Sequence, residues 1–530
     1  MSRFTAFASP LASSDVAALT PVIPAKAGIN RSDAIAASAE AASSTSVIPA
    51  KAGIHFAVAS AIGGNGPRAL SAREKSKWIP AFAGMTEAGE TMQALNTARI
   101  RQTAFATTAL AAALLCASFA ASAQNVLIRN ATVHTATAQG SLENADVLVS
   151  GGVVRAVGRG LSAPAGAQVI DAAGKPVTPT LFGGITEIGL EEVSGEKSTV
   201  DQTVALGADT KEMTVRPEFD VTLAYNPDSV LIPVTRIEGI GWTLIGAGTA
   251  TGGSIVAGQG GIERLDGGAD PIGPRALFVR LGKDSLGLSG SSRAAQWMLL
   301  DQLIDETRGR ITPDNHAALL TPAGRATLQK YFGGGGRIVF GVDRAADIRQ
   351  LLRWSSKHQL RIAIAGGAEA WRLAPQLAAA KVPVFVNPLS NLPSDFDQVG
   401  ASMENAARLR AAGVAVGFSE GGASHNARKV RQLAGNAVAA GLPWADGLAG
   451  LTRVPAETFG VAGEVGAIAP GKRADLVLWS GDPLDVASVA LQVWMDGRAI
   501  EMRSRQTELR DRYLHPDNGL PRAYPLPAGR

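Results

Sequence analysis

Residues Arg337–Asn387 read RIVFGVDRAADIRQLLRWSSKHQLRIAIAGGAEAWRLAPQLAAAKVPVFVN. Short apolar runs, RIVFGV, LRIAIAGG and VPVFVN, alternate with segments of helical period, AADIRQLLRWSSKHQ and EAWRLAPQLAAAK. A strand covered on both faces reads as a nearly continuous apolar run, whereas a helix lying over it repeats its apolar residues every three or four positions. The passage is therefore a repeated βα unit and predicts a parallel sheet with helices outside it. Alternation by itself does not separate a closed barrel from an open, doubly wound sheet.

The flanks of this region differ from it. After Gln124, the runs VLIRNATVHTA and ADVLVSGGVVRAVG alternate apolar and polar residues, and Gly151-Gly152 makes a tight hairpin turn between two of the strands. That pattern predicts a half-buried antiparallel sheet. With 530 residues, 46% of them hydrophobic and 18% charged, the chain can bury a sizeable core and exceeds a single domain. The sequence pI is about 9.2, yet the formal net charge is only +4 and no run of five or six cations occurs. The basic residues read as an ordinary solvated surface, and no nucleic-acid partner is expected.

The amino-terminal stretch has another character. VIPAKAGI occurs at Val22–Ile29 and again at Val47–Ile54, and WIPAFAGMT follows at Trp78–Thr86, within an Ala/Ser-rich filler that lacks a sustained apolar period. Such a segment offers too little burial to offset ordering entropy, so residues 1–91 are expected to be a disordered or untranslated extension. Residues 92–123 carry Arg99 and Arg101, an apolar run from Ala104, and the small residues Ala121-Ser122-Ala123. This is the pattern of a secretory signal peptide cleaved after Ala123, which places the mature protein in the periplasm or outside the cell, with no membrane association after cleavage. The one cysteine, Cys116, lies inside that segment, so the mature chain is expected to hold neither a disulfide nor a cysteine-ligated metal.

Three stretches carry a family resemblance. NVLIRNATVHTA, ADVLVSGGVVRAVG and VIDAAGKPVTP together make the first, SHNARKVRQLAGNAVAAGLP (Ser424–Pro443) the second, and GVAGEVGAIAPGKRADLVLWSGDPL (Gly460–Leu484) the third. From about Asn125 to about Ile500 the chain resembles the amidohydrolase superfamily, in its imidazolonepropionase-like branch. The resemblance implies an α/β fold: a (β/α)8 TIM-type barrel over residues 181–460, a small composite β-sandwich from 124–180 and 461–504, and a tail over 505–530. With its four prolines, Pro516, Pro521, Pro525 and Pro527, that tail (Arg505–Arg530) reads as an extended arm.

The resemblance also implies metal ligands that this chain lacks. Within VTPTLFGGITEIGL (Val177–Leu190), the positions of the family's His-x-His pair hold Ile185 and Glu187. After the fifth and sixth strands, where the family has single histidines, stand Val342-Asp343 and Gly366-Gly367, and after the eighth stand Ser419 and Glu420 in place of an aspartate. Isoleucine binds no metal, and a lone glutamate binds a transition ion weakly. No His-ligated zinc is expected. The remaining carboxylates, Glu187, Asp343, Glu369 and Glu420, leave three options open: an oxygen-only site weakly holding a divalent cation, a metal-free acid and base pair, or plain structural pairing with cations such as Arg344 and Arg428.

The mouth of such a barrel lies at the carboxyl ends of its strands. Glu187, Asp343, Glu420 and His425 are the catalytic candidates there, and Arg344, Glu369, Asn387, Ser419 and Arg428 the substrate-binding ones. Ser424 is read as the N-cap of a helix carrying His425 and Arg428, whose positive end would attract a substrate carboxylate. His134 falls in the β-rich flank, and His316 and His358 on helix-like stretches. RPEFDVTLAY (Arg216–Tyr225) reads as a second strand, with Asp228 or Ser229 capping the helix that follows and WTLIGA as a third strand. Glycine-rich ATGGSIVAGQGGIERLDGG (Ala250–Gly268) lacks the ending of a phosphate loop and reads as a mobile loop bordering the site. The functional expectation is a hydrolase of carbon-nitrogen bonds other than peptide bonds, acting on a small molecule through a degenerate metal site. The alternative is a catalytically silent binding or interaction protein on the same scaffold, and homo-oligomerisation is open in both.

Overall fold

The structure is a computed structural model that describes residues 125–204, 215–421 and 424–514, all within one compact unit, Asn96–Arg530. The expected amino-terminal extension, the expected signal peptide with Cys116, and the tail beyond 514 lie outside the described residues.

Five strands come first: β1 (Val126–His134), β2 (Ser141–Ser150), β3 (Val153–Gly158), β4 (Gln168–Asp171) and β5 (Pro176–Pro179). Eight more form a central sheet: β6 (Leu181–Thr186), β7 (Ile240–Ile245), β8 (Val256–Arg264), β9 (Ile272–Arg280), β10 (Arg337–Val342), β11 (Ile362–Gly366), β12 (Val384–Val386) and β13 (Val416–Phe418). Three follow: β14 (Leu476–Trp479), β15 (Ala490–Met495) and β16 (Arg498–Ala499).

The two flanks pair with each other. Strand β14 pairs antiparallel with β5, Val477 opposite Thr178, giving the order β16-β15-β14-β5-β1-β2-β3 with β4 on β1. The strands pair along one connected path. The sheet's own core gathers Val126, Ile128, Val133, Val147, Val149 and Trp494, the inward members of the period-two pattern. Gly151 and Gly152 make the β2–β3 turn at φ +63° and +79°, as the hairpin reading required.

The central sheet runs in sequence order from β6 to β13 and is mixed α/β, with helices such as Arg293–Thr307, Pro322–Phe332 and Ala345–His358 packed outside it. Seven strands point one way. Strand β8 is antiparallel to both β7 and β9, so β7–β8–β9 is a meander inside an otherwise parallel sheet. The edges β6 and β13 meet through a side chain: Ser419 Oγ accepts from the Ile185 N–H at 3.0 Å and donates to the Ile185 carbonyl at 3.3 Å. The sheet is thus a nearly closed barrel of TIM type with one reversed strand, its interior filled by Phe182, Trp242 and Phe385, while Phe418 packs outward against the helix Trp444–Gly450.

Strand β8 corrects the reading of the glycine-rich stretch as a mobile loop. A Cβ on Gly260 would run into the Ile245 carbonyl and Phe278, and one on Gly258 would lie 2.6 Å from the Phe219 carbonyl. The glycines serve close packing, not mobility. Arg216–Tyr225 is not a strand either: Val221–Ala224 is a short 3-10 turn capped by Asp220, whose carboxylate accepts from the Thr222 N–H, and WTLIGA is the second barrel strand. Ser229, not Asp228, serves the next helix, its Oγ accepting from the Leu231 N–H. His316 lies in a turn instead of a helix, and Arg505–Leu514 is helical instead of extended. Among the described residues no helix is long and apolar enough to cross a membrane.

Candidate functional site

A cavity of about 580 Å³ opens at the rim formed by the carboxyl ends of the parallel strands. Of the nine site residues expected from the sequence, Glu187, Asp343, Asn387, Ser419 and Glu420 line it. Glu187, Asp343, Asn387 and Ser419 directly follow the strands β6, β10, β12 and β13, and Glu420 comes one residue later.

Glu187 is the most perturbed of them. The chain turns tightly after β6, with the Leu190 and Glu191 N–H groups both donating to the Glu187 carbonyl and Gly189 at φ +78°. This turn brings the carboxyls of Glu187 and buried Glu191 together. Gln202 bridges them, its Nε2 donating to Oε2 of each at 3.2 Å. Burial, reinforced by the charge of Glu191 and a carboxyl–carboxyl hydrogen bond, pushes Glu187 up to about 7. One proton shared between two carboxyls is the state such a bond requires. Gln202 Oε1 and Glu420 Oε2 are buried in the same cavity wall with no hydrogen-bond partner.

Asp343 is held rather than loose. Its Oδ1 accepts from the Ala368 N–H at 3.1 Å and its Oδ2 from Gln398 Nε2 at 3.2 Å. Gly366, at φ +91°, leaves room for it, because a Cβ there would stand 2.6 Å from Asp343 Oδ1. Asn387 donates to the Glu420 carbonyl at 3.2 Å and orders the β12–β13 rim. Cations enter from the end of β9 and the segment after it: Arg280 pairs with Asp284 at 2.9 Å, and Lys283 pairs with Asp284 at 2.7 Å and Asp395 at 3.5 Å.

Four expected residues are not brought to the cavity. Glu369 is a buried bracket: its Oε2 accepts from the Ala345 N–H at 2.9 Å, opening the helix Ala345–His358, and its Oε1 from the Gly400 N–H at 2.6 Å. Two orphan backbone donors consume the carboxylate, so it is not a substrate ligand. Arg344 is the N-cap position of that same helix and stands outside the lining. His425 and Arg428 are exposed on the 3-10 turn Ser424–Lys429, also outside the lining, and Ser424 Oγ is buried without a partner instead of capping. The helix reading failed there because the turn precedes the α-helix, which begins only at Val430. Sequence reasoning missed Glu191, Gln202, Arg280 and Lys283. Of these, Glu191 left a signal: TEIGLEE sets two carboxylates four residues apart across a glycine.

The donor set does not fit a transition metal. Ile185 presents an apolar side chain to the cavity wall, and among the described residues no group of three or more His, Cys, Asp or Glu side chains is placed to hold an ion. Glu187 is engaged with Glu191, and Glu369 with backbone.

Residues 348–502 match the Amidohydrolase family model. Amidohydrolase tasK of Hapsidospora irregularis is 46% identical over 59 residues, 11% of this chain and 6% of that protein. A dihydroorotase of Pelobacter propionicus is 51% identical over 57 residues, 11% of this chain and 13% of its own. The chain thus spans only a small part of the length of the curated relatives it matches. Among solved structures, an amidohydrolase from Thermotoga maritima superimposes with a TM-score of 0.62 at 26% identity, covering 71% of this chain and 100% of that one. The chain carries an amidohydrolase family domain, and its barrel has structural neighbours in the amidohydrolase superfamily.

Proposed function

We propose that the protein is an amidohydrolase-type hydrolase of the imidazolonepropionase-like branch, cleaving carbon-nitrogen bonds other than peptide bonds in small molecules, with its ancestral metal site lost. The Glu187–Glu191 carboxyl pair at the cavity rim carries this reading. A carboxylate whose proton affinity is centred near neutrality is matched to general-base work at that pH, and a pair sharing one proton supplies base and acid together. In this scheme the ionised carboxylate takes a proton from water as the water oxygen bonds to the substrate carbonyl carbon. The protonated partner then donates to the leaving nitrogen as the carbon-nitrogen bond breaks. Glu420 Oε2 and Gln202 Oε1 accept the substrate's N–H groups, and Arg280 and Lys283 place positive charge beside the developing oxyanion. The protein would act in the periplasm or outside the cell, as the signal-peptide pattern of residues 92–123 suggests.

The test is a screen of chelator-treated protein, from residue 124 onward, against N-acyl amino acids, dipeptides and cyclic amides. Turnover that is lost in Glu187→Gln supports the hydrolase. Protein inert to all of them, but stabilised by one as a ligand, sinks it in favour of a binding role.

A further inference from the structure

A second cavity, of about 140 Å³, lies at the opposite end of the strands from the carboxyl rim, between the starts of β9 and β10 and the segment Thr458–Gly460. Its walls combine the backbone of Gly334–Gly336 with two guanidiniums, Arg337 and Arg361. Neither has a carboxylate within ion-pair distance among the described residues. Arg337 reaches only carbonyls, donating to Thr458 at 2.8 Å and Ile362 at 2.9 Å, and Arg361 makes one long bond to the Gly334 carbonyl at 3.4 Å. Arg275, also in the wall, is neutralised by Asp220 at 3.0 Å. Burial first, and then the positive charge of Arg361, push Arg337 down to about 10.

Neighbouring guanidiniums without a counter-charge, bordering a cavity of this size, are a demand for an anion. Arginine presents a planar fork of donors that matches oxyanions, and glycine backbone can approach such a ligand closely. We propose that this pocket binds a small tetrahedral oxyanion, inorganic phosphate or the phosphate end of a small metabolite, as a structural ligand independent of the catalytic rim. It straddles the β9–β10 starts and the Thr458–Gly460 connection, so an occupant ties the barrel floor to the chain returning toward β14.

The experiment titrates the folded protein with potassium phosphate, and separately with glycerol phosphate, by calorimetry at constant ionic strength, using potassium chloride as the reference salt. Saturable 1:1 binding is expected, with affinity reduced about tenfold or more in Arg361→Ala, the usual consequence of losing a charge-assisted contact. Arg361 is exposed, so its loss leaves folding intact, and Arg349→Ala, an exposed arginine on the helix Ala345–His358 away from the pocket, should bind as the parent does. Binding of phosphate but not glycerol phosphate assigns the free ion; binding of both assigns a phosphomonoester-compatible pocket. The proposal is overturned if no saturable binding occurs, or if Arg361→Ala binds as tightly as the parent. Hydrolytic activity does not enter either outcome, so this test and the test of the carboxyl pair fail separately.

Discussion

Glu187 shows how one side chain reports its surroundings. The group holds its proton up to about 7 in the fold, against 4.5 for an ordinary glutamate. Folding therefore disfavours its charged form, so it costs nothing at pH below about 4.5; the cost grows as pH rises through the interval and is complete above about 7. Glu187→Gln should accordingly raise stability at pH 8 relative to pH 4, by about 1–2 kcal/mol for a partly exposed group, measured as denaturant midpoints at both pH values. Equal changes at both would contradict the assignment. Legibility at this scale was uneven. Residues directly after strands, such as Asp343, Asn387 and Ser419, were readable because strand ends fix where a barrel's mouth lies. Glu369 was not, since only the folded loop shows that the Ala345 and Gly400 N–H groups consume its carboxylate. His425 misled because a serine before a basic, periodic run looks the same whether a cap or a 3-10 turn follows.

Strand β8 and the barrel seam decide matters at the scale of elements. The βα repeats from β10 to β12 were legible because burial on both faces leaves continuous apolar runs. The reversed strand was not: Gly258, Gly260 and Gly261 carry no periodicity and read as a loop until the neighbours that exclude a Cβ are known. Strand β8 also buries Glu263 completely, with both carboxyl oxygens unpartnered. Burial raises this group to about 8, so it too is stabilising to remove at high pH. Glu263→Met should gain about 1–3 kcal/mol at pH 9 and less at pH 5, read from thermal unfolding at each pH; a loss of stability at pH 9 would show that the carboxylate has a partner. The seam between β6 and β13 rests on the Ser419 hydroxyl. Ser419→Ala leaves the Ile185 N–H and carbonyl without that bridge and should cost about 1–2 kcal/mol, with faster amide exchange at Ile185 as the specific readout.

Taken whole, the molecule gathers two flanking segments into one sheet and sets a nearly closed barrel between them in sequence, with the carboxyl rim holding the large cavity and the floor holding the small one. The alternation of strand and helix was enough to expect a parallel sheet, and resemblance supplied closure. Neither could supply the Glu187–Glu191–Gln202 arrangement, because it depends on a loop folding back across some fifteen residues to the same rim. The central claim is that the rim works through this carboxyl pair and not through an imidazole-bound ion. Its most direct test is the pH–rate profile of chelator-treated protein on whichever amide the substrate screen identifies. The account predicts full turnover without added metal, falling as pH rises through about 7 and the shared proton is lost, and abolished in Glu187→Gln. Activity that vanishes on chelation and returns with stoichiometric zinc would contradict it.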